Sequence, residues 1–346
     1  MRVRSGPQLS ALAAVVLLAT ACAPPAAPPA PGLVEERRLA MGSELHLTAR
    51  THDAPRARVA FAAVFAEVDR LEALLSTWRP ESDVSRLNAA AGGAPVRVHA
   101  DTRAVLRAAA QVSAWTDGAF DVTFGALAEV WKFDHDQDNR VPSAAEIAAR
   151  VPRVDYRRVV IDEAAGTVAI TRPGVRVHLG GIGKGYAVDR AVTILRAAGL
   201  RDFMVQAGGD LYVAGAAGES PWRLGIQDPR GAPDAPFAVL ELSNATFSTS
   251  GDYERFFEQD GVRYHHLLDP ATGQPARGTR SVTIVTKEAL WADGLSTGVF
   301  ILGPERGMAL VERLPDVEAV IVTAENQVLV STGLRDRLIV RRPPTP

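Results

Sequence analysis

From Ser43 to Arg50 apolar and polar residues alternate, with Leu45, Leu47 and Ala49 on one side, and this predicts a strand. The period then changes. Phe61, Phe65, Val68, Leu71 and Leu75 recur at helical spacing, so "ARVAFAAVFAEVDRLEALLSTW" (57–78) predicts a long helix with one buried face. Asp101 is expected to cap a second helix that runs through Trp115. "TVAITR", "VRVHL", "FMVQAG" and "LYVAG" read as short strands split by glycine turns, and "FAVLELSNATFSTSG" and "RYHHLLD" as further strands. "SVTIVT" leads into a helix from about Glu288 to Ile301. "EAVIVTA" and "QVLVST" read as a closing hairpin around Glu325 and Asn326. Strands come in runs, with helices between blocks, which favours an α+β fold over a doubly wound sheet.

The two ends do not fit that pattern. Arg2 and Arg4 precede an apolar run, Ala11 to Leu18, that is too short to cross a bilayer. Small residues follow, then Cys22, the one cysteine of the 346-residue chain. This arrangement resembles a bacterial lipoprotein signal. It predicts a leader over residues 1–21, a lipid on Cys22, and a location on the periplasmic side of a bacterial membrane. Residues 22–33, rich in Pro and Ala, read as a semi-rigid tether, 34–340 as the folded body, and 341–346 as a disordered tail. The net charge is −2, and loss of the leader takes it to about −4, so nothing suggests a nucleic-acid partner.

Chemistry is concentrated in "LGGIGKGYAVD", Leu179 to Asp189. Neither the Walker loop nor the dinucleotide fingerprint fits: Lys184 is followed by Gly185, and Tyr186 stands where the third fingerprint glycine belongs. The physical content survives. Glycines lead into a helix carrying Val188, Ala191, Val192 and Leu195 at helical spacing, with Gly199 a plausible end signal. Free N–H groups at such a start favour an anion, although a plain turn with an exposed lysine reads equally well. Asp293 and Thr297 are four apart, which puts a carboxylate and a hydroxyl on one helix face. Both are hard donors of the kind Mg²⁺ takes, although a solvated Asp and a Thr bonded to its own helix is the commoner outcome of that spacing. His265 and His266 would face opposite sides of a strand, so at most one points into a given site. Trp78 sits among polar residues. "DHDQDN" (134–139) imitates a calcium loop without its glycine and reads as polar surface.

Taken in order, "MGS", "LSTW", "GAFDVTFG", "LGGIGKGYAVD", "GGDLYVAG", "STSGDYERFF", "HHLLDPATG" and "ADGLSTGVFILG" resemble the FAD:protein FMN transferases, the ApbE family. The resemblance spans roughly residues 34–330. It implies a T-fold-like α+β architecture, FAD as substrate, Mg²⁺ as cofactor, and transfer of FMN to a threonine hydroxyl of an acceptor protein with release of AMP. The acceptor it implies is a subunit of a membrane redox complex. An FAD pyrophosphatase and a non-enzymatic FAD-binding lipoprotein are the alternatives. On this resemblance Met41, Trp78, Ala119, Phe120, Asp121, Lys184 and Leu267 contact FAD. Gly181, through its carbonyl, Asp293 and Thr297 hold the metal. His178, at a further FAD-contact position, replaces the usual acidic residue before "LGG", and Ser296 stands where some members have a third acidic ligand. His266 is the candidate base that takes the proton of the attacking hydroxyl.

Overall fold

The alternating segments pair into an antiparallel sheet in a computed structural model that describes residues 31–232 and 235–346. The leader and Cys22 lie outside the described residues. Strands β1 (Gly32–Ala40) and β2 (Ser43–Thr51) form a hairpin that feeds the long helix α1 (Ala54–Leu75). Then come α2 (Asp83–Ala89), β3 (Val96–Arg97), α3 (Ala100–Trp115), α4 (Ala144–Ala148), β4 (Val159–Asp162) and β5 (Thr167–Ile170). The glycine stretch opens α5 (Gly183–Ala197). Strands β6 (Asp202–Ala207), β7 (Asp210–Ala214), β8 (Trp222–Gln227), β9 (Pro236–Leu242), β10 (Ala245–Gly251), β11 (Phe256–Gln259), β12 (Val262–His265) and β13 (Thr279–Thr286) follow. The chain closes with α6 (Ala289–Leu302), α7 (Pro304–Val311), β14 (Glu318–Thr323), β15 (Val328–Val330) and β16 (Ile339–Val340).

The main sheet has the order β1-β2-β6-β7-β10-β13-β14-β15. One face is covered by helices. Phe61 and Leu71 of α1, Val188 and Leu195 of α5, and Leu295 and Val299 of α6 share a core with Leu47, Val205, Ile284 and Ile321 of the sheet. The other face is covered in part by the small sheet β16-β9-β8. Because side chains alternate along a strand, β7 serves both cores: Tyr212 and Ala214 on the helix side, Leu211 and Val213 against Trp222, Leu224 and Phe237. A third cluster, Leu127, Trp131, Phe133, Phe257 and Leu268, ties the loop after α3 to the β11–β12 hairpin. Within it the Trp131 indole donates to the Gly273 carbonyl at 2.8 Å.

Helices α5 and α6 meet at their first turns. A Cβ on Gly185 would lie 2.2 Å from the Ala289 carbonyl oxygen, so only glycine permits this approach. The α6 N-cap, Glu288, makes no side-chain cap. Asp189 of α5 supplies one instead, accepting from the N–H groups of Ala289 and Leu290 at 2.8 and 2.9 Å. Burial pushes the Asp189 carboxyl up to about 6 against these two bonds.

Several local expectations are corrected. "VRVHL" is extended but joins no sheet: Asn88 pairs by side chain with both backbone groups of Val177, and His178 N–H donates to Val122. The cap of α3 is His99, whose Nδ1 accepts from Asp101 N–H, while Asp101 takes bonds from Arg70 and the Tyr186 hydroxyl. Strand β12 ends at His265, leaving His266 beyond it. Gly32 and Leu33, assigned to the tether, already pair with Thr51 and Arg50 in β1. The tail, expected to be disordered, is anchored. Thr345 bonds Asp228 at 2.8 Å through its hydroxyl, Pro344 accepts from Asn326, and Arg341 N–H donates to Phe237.

Candidate active site

The β1–β2 turn, the loop after α3, the start of α5, the β6–β7 turn, the end of β10 and one face of α6 surround a cavity of about 350 Å³. A second lobe of about 380 Å³ adjoins it, shares several of its lining residues and is lined by Met41 and Trp78. Ala119, Phe120, Asp121, Gly181 and Lys184 line the first lobe, as do His266, Leu267, Asp293 and Thr297. His178 and Lys184 belong to both lobes. The body residues expected to contact FAD or the metal therefore all line one or other of two adjoining lobes.

The charged centre is built on the α5–α6 seam. Lys184 Nζ lies 2.8 Å from Asp210 Oδ2, 3.7 Å from Asp293 Oδ1 and 3.4 Å from the Gly180 carbonyl oxygen. Burial alone would favour the neutral amine, but Asp210 and Asp293 outweigh it and hold Lys184 above its ordinary value. Asp293 Oδ2 accepts from Gly185 N–H at 2.8 Å, so the second turn of α6 is fixed to the first turn of α5. Burial and the neighbouring Asp210 raise the Asp293 carboxyl, opposed by Lys184. Thr297 lies one turn further on, its Oγ1 3.4 Å from where a Cβ on Gly181 would stand. Ser296 is buried and does not line the cleft: its hydroxyl donates to the Asp293 carbonyl at 2.9 Å and lies 2.8 Å from Oγ of Ser250, which does.

The adjacent histidines have separate roles. His265 is buried, with Nε2 2.9 Å from the Ala276 carbonyl and Nδ1 accepting from Leu267 N–H at 3.3 Å. His266 lines the cavity, with Nδ1 3.3 Å from the Arg255 carbonyl oxygen. That bond places the proton on Nδ1 and leaves Nε2 as the acceptor. Burial, with Arg255 and His265 nearby, depresses His266 to about 3, so the imidazole is neutral at working pH.

Two other expected contacts look different in detail. The Asp121 carboxylate is already engaged: it accepts from the Thr123 N–H and hydroxyl at 2.7 and 2.6 Å and from Tyr156 N–H at 2.8 Å. It braces the loop, leaving little acceptor capacity for a ligand. Trp78 is 52% exposed and stands edge-on to His135 at 4.0 Å between ring centres.

A profile of the ApbE family matches residues 41–321. The chain belongs to the ApbE family. It is 35% identical over 302 residues to an FAD:protein FMN transferase of Treponema pallidum (strain Nichols), covering 83% of each chain. Among solved structures it superposes on the ApbE protein of Thermotoga maritima with a TM-score of 0.82 at 35% identity, covering 88% of this chain and 99% of that one. Against the flavin transferase ApbE of Vibrio cholerae the TM-score is 0.80 at 28% identity, over 89% and 100% of the two chains. The α+β fold implied by the resemblance is thus the fold observed.

This ApbE cleft also contains residues that the sequence did not single out. Asp210, in "GGDLYVAG", is buried and pairs with Lys184. Asp134 and His135, read as polar surface, line the second lobe. Asp134 forms an ion pair with Arg255, and both belong to both lobes. The missed signal was an acidic loop directly after the apolar "VWKF", whose Phe133 is anchored in the third core cluster.

Proposed function

We propose that this chain transfers FMN from FAD to a threonine hydroxyl of an acceptor protein and releases AMP. The observation that carries this reading is the two-lobed cleft with Lys184 at its junction. FAD has the matching shape, two ring systems joined by a diphosphate. Aromatic side chains stand in both lobes, Phe120 and Phe124 in one and Trp78 in the other.

The donor set fits Mg²⁺. Asp293 Oδ1 is not taken by the Gly185 bond, and the Thr297 hydroxyl and Gly181 backbone lie beside each other on the same wall. One carboxylate, one hydroxyl and one carbonyl suit an ion whose remaining ligands are water and phosphate. Mg²⁺ held there would neutralise the diphosphate and the charge growing on the departing AMP.

The chain's own residues do the rest. Lys184 and the N–H groups at the start of α5 stabilise phosphate charge. The threonine oxygen attacks the phosphorus on the FMN side, the bond from that phosphorus to the AMP oxygen breaks, and FMN remains attached through a phosphodiester. His266 Nε2 accepts the hydroxyl proton as attack proceeds. The bound diphosphate raises the basicity of this imidazole by placing negative charge beside it. We further propose that Cys22 carries a lipid and holds the body at the periplasmic face of a membrane, near an acceptor in a membrane redox complex. The test is incubation with FAD and Mg²⁺, with and without a candidate acceptor, read by mass spectrometry. Acceptor gaining the mass of FMN less one water supports transfer, and FMN and AMP free in solution without acceptor modification would show a pyrophosphatase.

A further inference from the structure

We propose that Arg255 binds the diphosphate of FAD, and that Asp134 serves as its resident counter-ion until the dinucleotide displaces it. The inference rests on the transferase reading for the identity of the ligand. Arg255 and Asp134 are among the few residues common to both lobes, so their ion pair lies across the path of any molecule that fills both. Lys184 and Arg255 are the lysine and arginine among the described lining residues. The Lys184 ammonium already answers Asp210 and Asp293. A diphosphate adds two negative charges, and Arg255 is the side-chain cation of the cleft that has one carboxylate partner rather than two, free to join Lys184 in meeting them.

The Arg255 side chain is available for that exchange. It bonds Asp134 through Nη1 alone. Neither group has another side-chain hydrogen-bond or ion-pair partner among the described residues, so Nε and Nη2 retain donor capacity. The pair is open to water, with side-chain exposures of 39% and 30%, so its net strength is small and a doubly charged ligand outcompetes it. A guanidinium is the side chain best shaped to grip phosphate oxygens in pairs. Its backbone is held meanwhile, because the Arg255 carbonyl accepts from His266 N–H at 3.1 Å and contacts His266 Nδ1. The guanidinium also lies over the β1–β2 turn, with Nη2 3.8 Å from where a Cβ on Gly42 would stand.

Asp134 therefore competes with the ligand, and the two charge removals should act in opposite directions. The experiment measures FAD and riboflavin affinity by flavin fluorescence for the full chain and for R255A, R255K and D134N, in buffer containing Mg²⁺. R255A is expected to weaken FAD binding about ten-fold or more, with R255K recovering part of the loss. D134N is expected to tighten FAD binding several-fold, because it frees Arg255. Riboflavin, which has no phosphate, should bind all four proteins alike. Unchanged FAD affinity in R255A, or weaker FAD binding in D134N, would overturn the inference while leaving the transferase reading intact. Equal losses for riboflavin and FAD in R255A would also overturn it, since the residue would then shape the cleft rather than hold phosphate. A wild-type chain that binds no FAD would overturn the transferase reading itself. D134N, which keeps size and shape, carries the test should R255A fold poorly.

Discussion

Lys184 and Asp210 form a nearly buried ion pair, 2.8 Å between Nζ and Oδ2, at the centre of the cleft. D210N leaves the lysine with Asp293 as its nearest carboxylate partner. Removing one member of such a pair costs about 3 kcal/mol, so the urea midpoint of the ligand-free protein should fall clearly. Saturating FAD should restore part of that loss, because phosphate then answers the ammonium. A midpoint equal to wild type would show that water already screens this pair.

Asp293 links the two helices and offers an oxygen to the cleft. D293A should abolish transfer at limiting Mg²⁺. T297A should be milder, because water replaces a neutral hydroxyl ligand more readily than a carboxylate. Transfer rates across a Mg²⁺ titration check both. Wild-type turnover of D293A at low Mg²⁺ would remove it from the metal site.

His266 and His265 should separate cleanly by what they lose. H266A should keep FAD binding and lose about 10² to 10⁴ in single-turnover transfer. H265A should lose stability by about 1–3 kcal/mol, because the Ala276 carbonyl is left without its donor, while transfer per folded molecule survives. Strand alternation allowed at most one of the two histidines into the site; burial assigns His265 a structural role. Since His266 sits near 3, its titration limb should fall well below the ordinary histidine range in kcat/KM profiles. Intact transfer in H266A would mean another group takes the proton.

Burial also depresses His265, to about 4. A histidine whose folded value lies below its unfolded value of about 6.5 contributes full stability above that value. The contribution is lost as pH falls towards 4, because the unfolded chain binds a proton that the folded chain refuses. The stability gap between wild type and H265A should therefore narrow from pH 7 to pH 4.5. Asp189, raised to about 6, works in the opposite sense in both proteins and cancels in this comparison. Denaturant midpoints at the two pH values decide it; a constant gap would show that His265 is not held neutral.

Cys22 supports a simple cellular test. C22S should leave the precursor uncleaved or release the body from the membrane fraction. Unchanged partitioning into detergent would exclude the lipid.

The layers of this fold were legible because period dominates them: α1, α6 and the β14–β15 hairpin fall where the apolar spacing puts them. Lys184, Asp293 and Thr297 were legible because each sits in a short local pattern. "VRVHL" misled because its alternation reflects real burial, while its backbone partners are the Asn88 side chain and a loop, which no local pattern encodes. Asp210, Asp134 and Arg255 acquire their roles only through partners 26, 121 and 121 positions away in the chain. The tail was misread because proline and arginine suggest solvent, whereas Asp228 and Asn326 bind its backbone.

The glycine at position 185 sets a division of labour for the history of this enzyme. Any side chain there would collide with the Ala289 carbonyl, so the seam that carries Lys184, Asp293 and Thr297 can scarcely drift. The loops that carry Asp134 and Arg255 meet no such collision, and their outer residues tolerate changes of length and composition better. The outer loops of the cleft can therefore be reshaped over time, provided Arg255 keeps its place, while the α5–α6 seam is inherited unaltered.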